Sequence, residues 1–192
     1  MRSIVMKLMV SSLLMLASFQ SSAAGFDFRV ADKAAEVFYL YNSSTFGYGG
    51  SDIGWGYFFN ENDDQMISGS LLVSGNGAGS KRALQFGVGV KAFLADFGNN
   101  VDVYGGGIGI GGLLRYVFSS STPVAILLEA YAVPTITSIG DATDFSEARI
   151  SFELEVSPSA RAYVGYRTVT LETETNEYKL DEAAHFGVRI SF

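Results

Sequence analysis

The chain has no cysteine, one histidine, one tryptophan and only three prolines in 192 residues. Without cysteine there is neither a disulfide nor a lipidated N-terminal anchor. One histidine and no thiolate leave a transition-metal site short of its usual ligands. Positive charge is scarce as well, with 13 basic against 20 acidic residues. That balance disfavours nucleic acid and other polyanions as partners. Long apolar runs are missing beyond the first two dozen residues. One of the longest, residues 124–128, ends at Glu129, far short of the roughly 20 residues a spanning helix needs.

The N-terminus reads as a leader. Arg2 and Lys7 precede the apolar stretch LMVSSLLMLASF (residues 8–19), and Ser22-Ala23-Ala24 follows. A basic n-region, a short h-region and small residues at −3 and −1 are the marks of a signal peptide. Cleavage is expected before Gly25, giving a leader of residues 1–24 and one mature domain over residues 25–192. Removing Arg2 and Lys7 leaves 11 basic and 20 acidic residues, a net charge of −9.

Aromatics make up 14% of the residues, and 22 are glycine. With so little proline, this composition favours strands and turns. Period two dominates the pattern. Ile53, Trp55, Tyr57 and Phe59 alternate with Asp52, Gly54, Gly56 and Phe58. Similar runs cover residues 67–74, 84–94, 104–116, 147–156, 161–167 and 184–192, with a weaker one over 124–133. Gly, Asn, Asp, Ser or Pro occupy most of the connections, at 60–64, 75–81, 96–102, 119–123, 135–144, 157–159 and 172–182. Residues 26–42 can hold one more hairpin, broken near Asp32-Lys33. The count is then ten strands, or eight with an N-terminal extension if that piece is not a hairpin.

Such alternation fits either a soluble sandwich, apolar face inward, or an antiparallel up-and-down transmembrane β-barrel, apolar face outward. Three features favour the barrel. A leader exports the chain. The strands are about ten residues, the span of a tilted membrane strand. A short connection at 157–159 alternates with long ones at 135–144 and 172–182, the pattern of short periplasmic turns and longer outer loops. The face opposite the apolar one carries Lys91, Arg115, Glu129, Glu147, Arg149, Glu153, Glu155, Arg161, Arg167, His185 and Arg189. Turned toward lipid, each Arg or Lys would cost about 2–4 kcal/mol at the midplane. Turned inward, these residues can pair, as a packed ion-pair plug or as the wall of a polar pore.

Motifs for chemistry are weak. Residues 107–112 (GIGIGG) satisfy GxGxxG but lie mid-strand with no helix following, so no nucleotide site is expected. The glycine-rich stretch 75–81 misses P-loop spacing and reads as a turn. His185 would need a neighbouring Ser or Asp to act in an outer-membrane enzyme, and it reads instead as a histidine near the outer rim, within reach of Asp141, Asp144 and Asp181. The acidic stretches lack the ordered spacing of an EF-hand. No catalytic residue, cofactor or metal site is expected.

The stretches GGSDIGWGYFFNENDDQ, GVGVKAFLADF, EAYAVPTITSIGDATDFSEARISFELEVSPSARAYVGYR and HFGVRISF cover most of the mature chain. Together they resemble the YfaZ family of proteobacterial outer-membrane proteins. The resemblance implies a small outer-membrane β-barrel and brings no catalytic residues with it. The reading is therefore a monomeric, non-enzymatic barrel of the Gram-negative outer membrane with a narrow charged lumen, structural or porin-like for small solutes. Its partners would be membrane lipid, lipopolysaccharide and, during biogenesis, the barrel assembly machinery. A barrel that binds cations or a partner through acidic outer loops is the alternative, and a lipid-modifying enzyme is the remote one.

The final alternation, Phe186, Val188, Ile190 and Phe192, resembles the C-terminal signal that the assembly machinery reads. Deleting Phe192 should lower the amount of folded, heat-modifiable protein in the membrane fraction. Unchanged folded levels on a gel run with and without boiling would count against that role.

Overall fold

The computed structural model describes residues 24–43, 51–77, 83–98, 103–118 and 123–192. The expected leader lies outside these residues except for Ala24, which is the first residue of a strand. Eleven strands follow in order: β1 (Ala24–Ala31), β2 (Ala34–Ser43), β3 (Ser51–Asn60), β4 (Gln65–Asn76), β5 (Leu84–Phe97), β6 (Val103–Phe118), β7 (Val124–Val133), β8 (Ser138–Gly140), β9 (Ala142–Ser157), β10 (Ala160–Thr173) and β11 (Glu177–Ser191). Neighbours pair antiparallel throughout. β5 pairs β6, and β1 pairs β11 from Gly25↔Ser191 to Ala31↔His185. Ten strands thus close into a barrel, which removes every long free edge. The eight-strand alternative falls, because residues 26–42 form the β1–β2 hairpin about Asp32-Lys33.

The eleventh strand is β8. β6 pairs with β7 through Ile110–Phe118 and with β8 at Gly105–Gly107. β8 therefore continues the line of β7 after an outward detour through a short 3-10 turn, Thr135–Thr137. The Thr137 hydroxyl donates to the Ile108 carbonyl at 2.7 Å and ties the detour to the wall.

Alternating side chains point to two different environments. Val88, Ile110 and Val164 are 69%, 71% and 54% exposed, while Arg167 is 0% exposed. The apolar sets of the sequence runs lie outside, and inside lie glycines and polar groups. Glycine here makes room. A Cβ on Gly187 would stand 2.2 Å from the Tyr163 ring, and one on Gly54 would stand 2.0 Å from the Phe38 ring. Both large inward rings occupy space that a side chain would otherwise fill.

The interior changes character along its length. Toward the end away from the termini, Phe58, Met66, Phe93, Phe97, Val133, Phe145, Val169, Leu171 and Leu180 form an apolar cluster. The Phe93 and Phe145 rings stack at 3.8 Å between centroids. The β3–β4 turn folds over this cluster. Asn60 donates to the Leu180 carbonyl across the barrel at 3.2 Å, and its own side-chain oxygen accepts from the Asn62 and Asp64 amides. That carbonyl is free because a bulge in β11 pairs Asp181 with Val169 and Lys179 with Thr170, skipping Leu180. The bulge also turns two successive residues, Leu180 and Asp181, inward.

Two connections are shorter than the sequence pattern indicates. β10 runs to Thr173 and β11 starts at Glu177, so the expected loop 172–182 shrinks to a turn over residues 174–176. The Thr173 hydroxyl closes it with Asn176. Acidic density was misleading, because Tyr178 and Leu180 pack inward on the apolar cluster while Lys179 and Glu182 pair outside at 2.7 Å. Loop 135–144 likewise contracts, since β9 begins at Ala142. The expected contrast of turn lengths between the two ends is largely lost.

The apolar cluster predicts a stability effect. Phe145→Ala should destabilise the refolded barrel by about 3–5 kcal/mol, read from a urea titration in detergent micelles. A change within error would mean the cluster contributes nothing.

Candidate functional site: an ion-paired barrel interior

Below the apolar cluster the interior is ionic. Arg167 on β10 is the hub. It donates to Glu36 on β2 at 3.0 and 3.4 Å and from Nε to Glu147 on β9 at 3.0 Å, with Nη2 also 2.9 Å from that carboxylate, and it lies 3.8 Å from Asp181 on β11. Its guanidinium carbon sits 5.6 Å from the centroid of the Phe58 ring, directly beneath the apolar cluster. Arg29 of β1 pairs with Glu36, and Lys91 of β5 pairs with Glu147. The chain Arg29–Glu36–Arg167–Glu147–Lys91 therefore ties five strands across the lumen.

Three further pairs line the wall nearer the termini. Arg149 and Glu129 pair across register neighbours on β9 and β7. Arg115 donates to Glu153 at 2.6 Å and to Gln85 at 3.0 Å. Arg189 donates to Asp27 at 2.6 and 3.1 Å, and the Tyr163 hydroxyl donates to the same carboxylate. Between these pairs lies a cavity of about 250 Å³. Its lining includes Asn76, Gln85, Arg115 and Arg189, all near the strand ends beside the termini, and no residue of the apolar cluster. Among the described residues the cavity is therefore closed at the apolar end, and its lining reaches the strand ends beside the termini.

Of the residues singled out in sequence, Lys91, Arg115, Glu129, Glu147, Arg149, Glu153, Arg167 and Arg189 come together in these pairs. Glu155 and Arg161 face each other in register but form no ion pair among the described residues. His185 is not at the rim. It is 4% exposed and pairs in register with Gly165 and Ala31, because β11 starts eight residues before it. Asp181 reaches Arg167, and Asp141 accepts from the Tyr104 amide at 3.1 Å. His185 Nε2 lies 3.5 Å from the Ser151 hydroxyl, and its Nδ1 has no partner among the described residues. The ring packs edge-on against Tyr163. Ser151 is 2% exposed and, among the described residues, no carboxylate bonds the His185 ring and neither residue lines the cavity.

Sequence reading missed Asp27, Arg29 and Glu36. Their signal was present: Asp27 and Arg29 alternate with Phe26, Phe28 and Val30 in the same period-two pattern. At the opposite end, outside the interior, the exposed Lys33 pairs with Glu61 and links two neighbouring turns. That hydrogen bond and the Glu61 charge raise the Lys33 ammonium above its ordinary pKa.

The sequence matches the family described as YfaZ precursor over residues 3–192. The chain belongs to the YfaZ family. No curated protein matches it. In this YfaZ barrel the longest stretch of the family resemblance, residues 129–167, supplies half of β7, all of β9 and just over half of β10. It thereby carries Glu129, Glu147, Arg149, Glu153 and Arg167, at least one partner in most of the interior pairs.

A buried charge left without its partner costs far more than the pair contributes. Arg167→Met should therefore destabilise the barrel by about 3–5 kcal/mol, because Glu36 and Glu147 lose a shared partner. Arg167→Lys keeps a positive charge between Glu36 and Glu147 and should lose less. A Lys variant no more stable than the Met variant would show that the charge itself contributes nothing. The measurement is denaturant unfolding of refolded protein.

Proposed function

We propose that the chain is an exported barrel that crosses the bacterial outer membrane with its ten strands and works without catalysis, its interior closed to through-flow. The observation that carries this reading is the reversed solvation of the wall. Ile110 and Val88 stand outward and exposed while Arg167, Lys91, Glu147 and Arg149 are buried within. In water such an outer face is a large aggregation-prone apolar surface. In a bilayer it is matched, and each inward charge avoids the depth-dependent penalty of facing lipid. Closure of the sheet supplies every backbone partner that lipid cannot. The precursor in the family description agrees with export.

Two barriers in series support the closed form. The Arg167 pairs span the lumen at mid-height, and the Phe58–Phe93–Phe145 cluster fills it beyond. A hydrated solute would have to desolvate at the first barrier and displace packed aromatics at the second. The surroundings on this reading are lipid and lipopolysaccharide outside the wall, with the assembly machinery engaged during biogenesis and the mature form a monomer.

Planar bilayers test the reading. Purified, heat-modifiable protein should insert and give no stable unitary conductance. Reproducible steps from the unaltered protein would replace the closed barrel with a pore.

A further inference from the structure

Among the described residues, the cavity at the terminal end has one basic group that the interior pairing does not use. Arg29, Lys91, Arg115, Arg149 and Arg189 each have an acidic partner. Arg161 lines the same cavity and makes no hydrogen bond or ion pair among the described residues, although the Glu153 and Glu155 charges act on it from a distance. Its cross-strand neighbour on β11 is Arg189, directly opposite. Two like charges in that position repel and destabilise a sheet unless something lies between them. On its other side Glu155 stands opposite in register without making an ion pair.

The neighbouring guanidiniums also have donors to spare. Arg115 uses Nε and Nη1 for Glu153 and Gln85, and Arg189 uses Nε and Nη2 for Asp27. Arg115 Nη2 and Arg189 Nη1 have no acceptor among the described residues. A guanidinium carries five donors in a planar fork suited to a two-oxygen acceptor. Ser74, Asn76 and Gln85 add neutral hydrogen-bonding groups to the same wall.

We propose that this mouth is a binding site for a small polar solute bearing an oxyanion, a carboxylate or a phosphate, held by Arg161 with Arg115 and Arg189. The anion takes a place between Arg161 and Arg189, which face each other in register. The volume admits a small solute, and the ion-paired floor at Arg167 stops it from passing further. The site requires only the folded barrel in micelles, so it stands or falls separately from the membrane and closed-lumen reading.

The test is titration calorimetry of the folded full chain in detergent at low salt, with inorganic phosphate and gluconate as separate probes. At least one probe should bind saturably. Arg161→Gln should weaken it about tenfold or more. Lys179→Gln, at the opposite end, should change nothing. Glu155→Gln should bind as well or better, since it removes a competing carboxylate. Arg161→Lys keeps the charge without the fork and should bind more weakly than the parent, which serves if the Gln variant fails to fold. Binding of only one probe identifies the group the site prefers. The proposal is overturned if neither probe binds, if folded Arg161→Gln or Arg161→Lys binds like the parent, or if Glu155→Gln binds more weakly.

Discussion

One guanidinium, that of Arg167, holds the middle of this barrel together. It is fully buried and serves carboxylates on two other strands, with a third nearby. Those carboxylates in turn hold Arg29 and Lys91. None of these charges has bulk water to fall back on, so each is tolerable only while the others are in place. The strand register follows from that dependence. A slip of one residue would turn the charged set outward and the apolar set inward together.

The interior is asymmetric because side-chain volume is unevenly distributed along the strands. Large rings gather where β3, β5 and β9 lie far from the termini, and the β3–β4 turn lies over them. The opposite end has long, thin, hydrogen-bonding side chains and the cavity between them. One end is thus filled by dispersion and burial, the other by charge pairs that keep contact with solvent. Among the described residues the geometric outcome is a cavity closed at its apolar end. Glycine contributes where rings need the space, as at Gly187 beneath Tyr163. The Tyr163 hydroxyl is thereby delivered to Asp27, which also holds Arg189.

Much of the fold was legible from period-two alternation, because a strand wall facing two different environments writes that contrast into every second residue. The ten strands, their outward sets and the inward placement of Arg167 or Lys91 all follow from it. The hairpin at Asp32-Lys33 was legible from its turn residues, yet Asp27, Arg29 and Glu36 on its arms were passed over. The ends of β10 and β11 were hidden for a different reason. A strand that extends past the apolar belt loses its outward hydrophobic signal, and residues 172–182 then look like an acidic loop. The bulge at Leu180–Asp181 breaks the alternation there as well.

By itself the sequence determined which residues share a face, since neighbours in an extended chain point to opposite sides whatever else they touch. It also determined that one face is apolar and the other carries charge. Which charge meets which was decided only by the tertiary structure. Glu36 and Arg167 are 131 positions apart, and Lys91 and Glu147 approach across the lumen from strands that are not neighbours in the sheet. Such partnerships depend on how the closed sheet is staggered and on the side chains that fill its centre. So does the one cation without an ion-pair partner among the described residues, Arg161, whose isolation is a property of the closed barrel and of no segment within it.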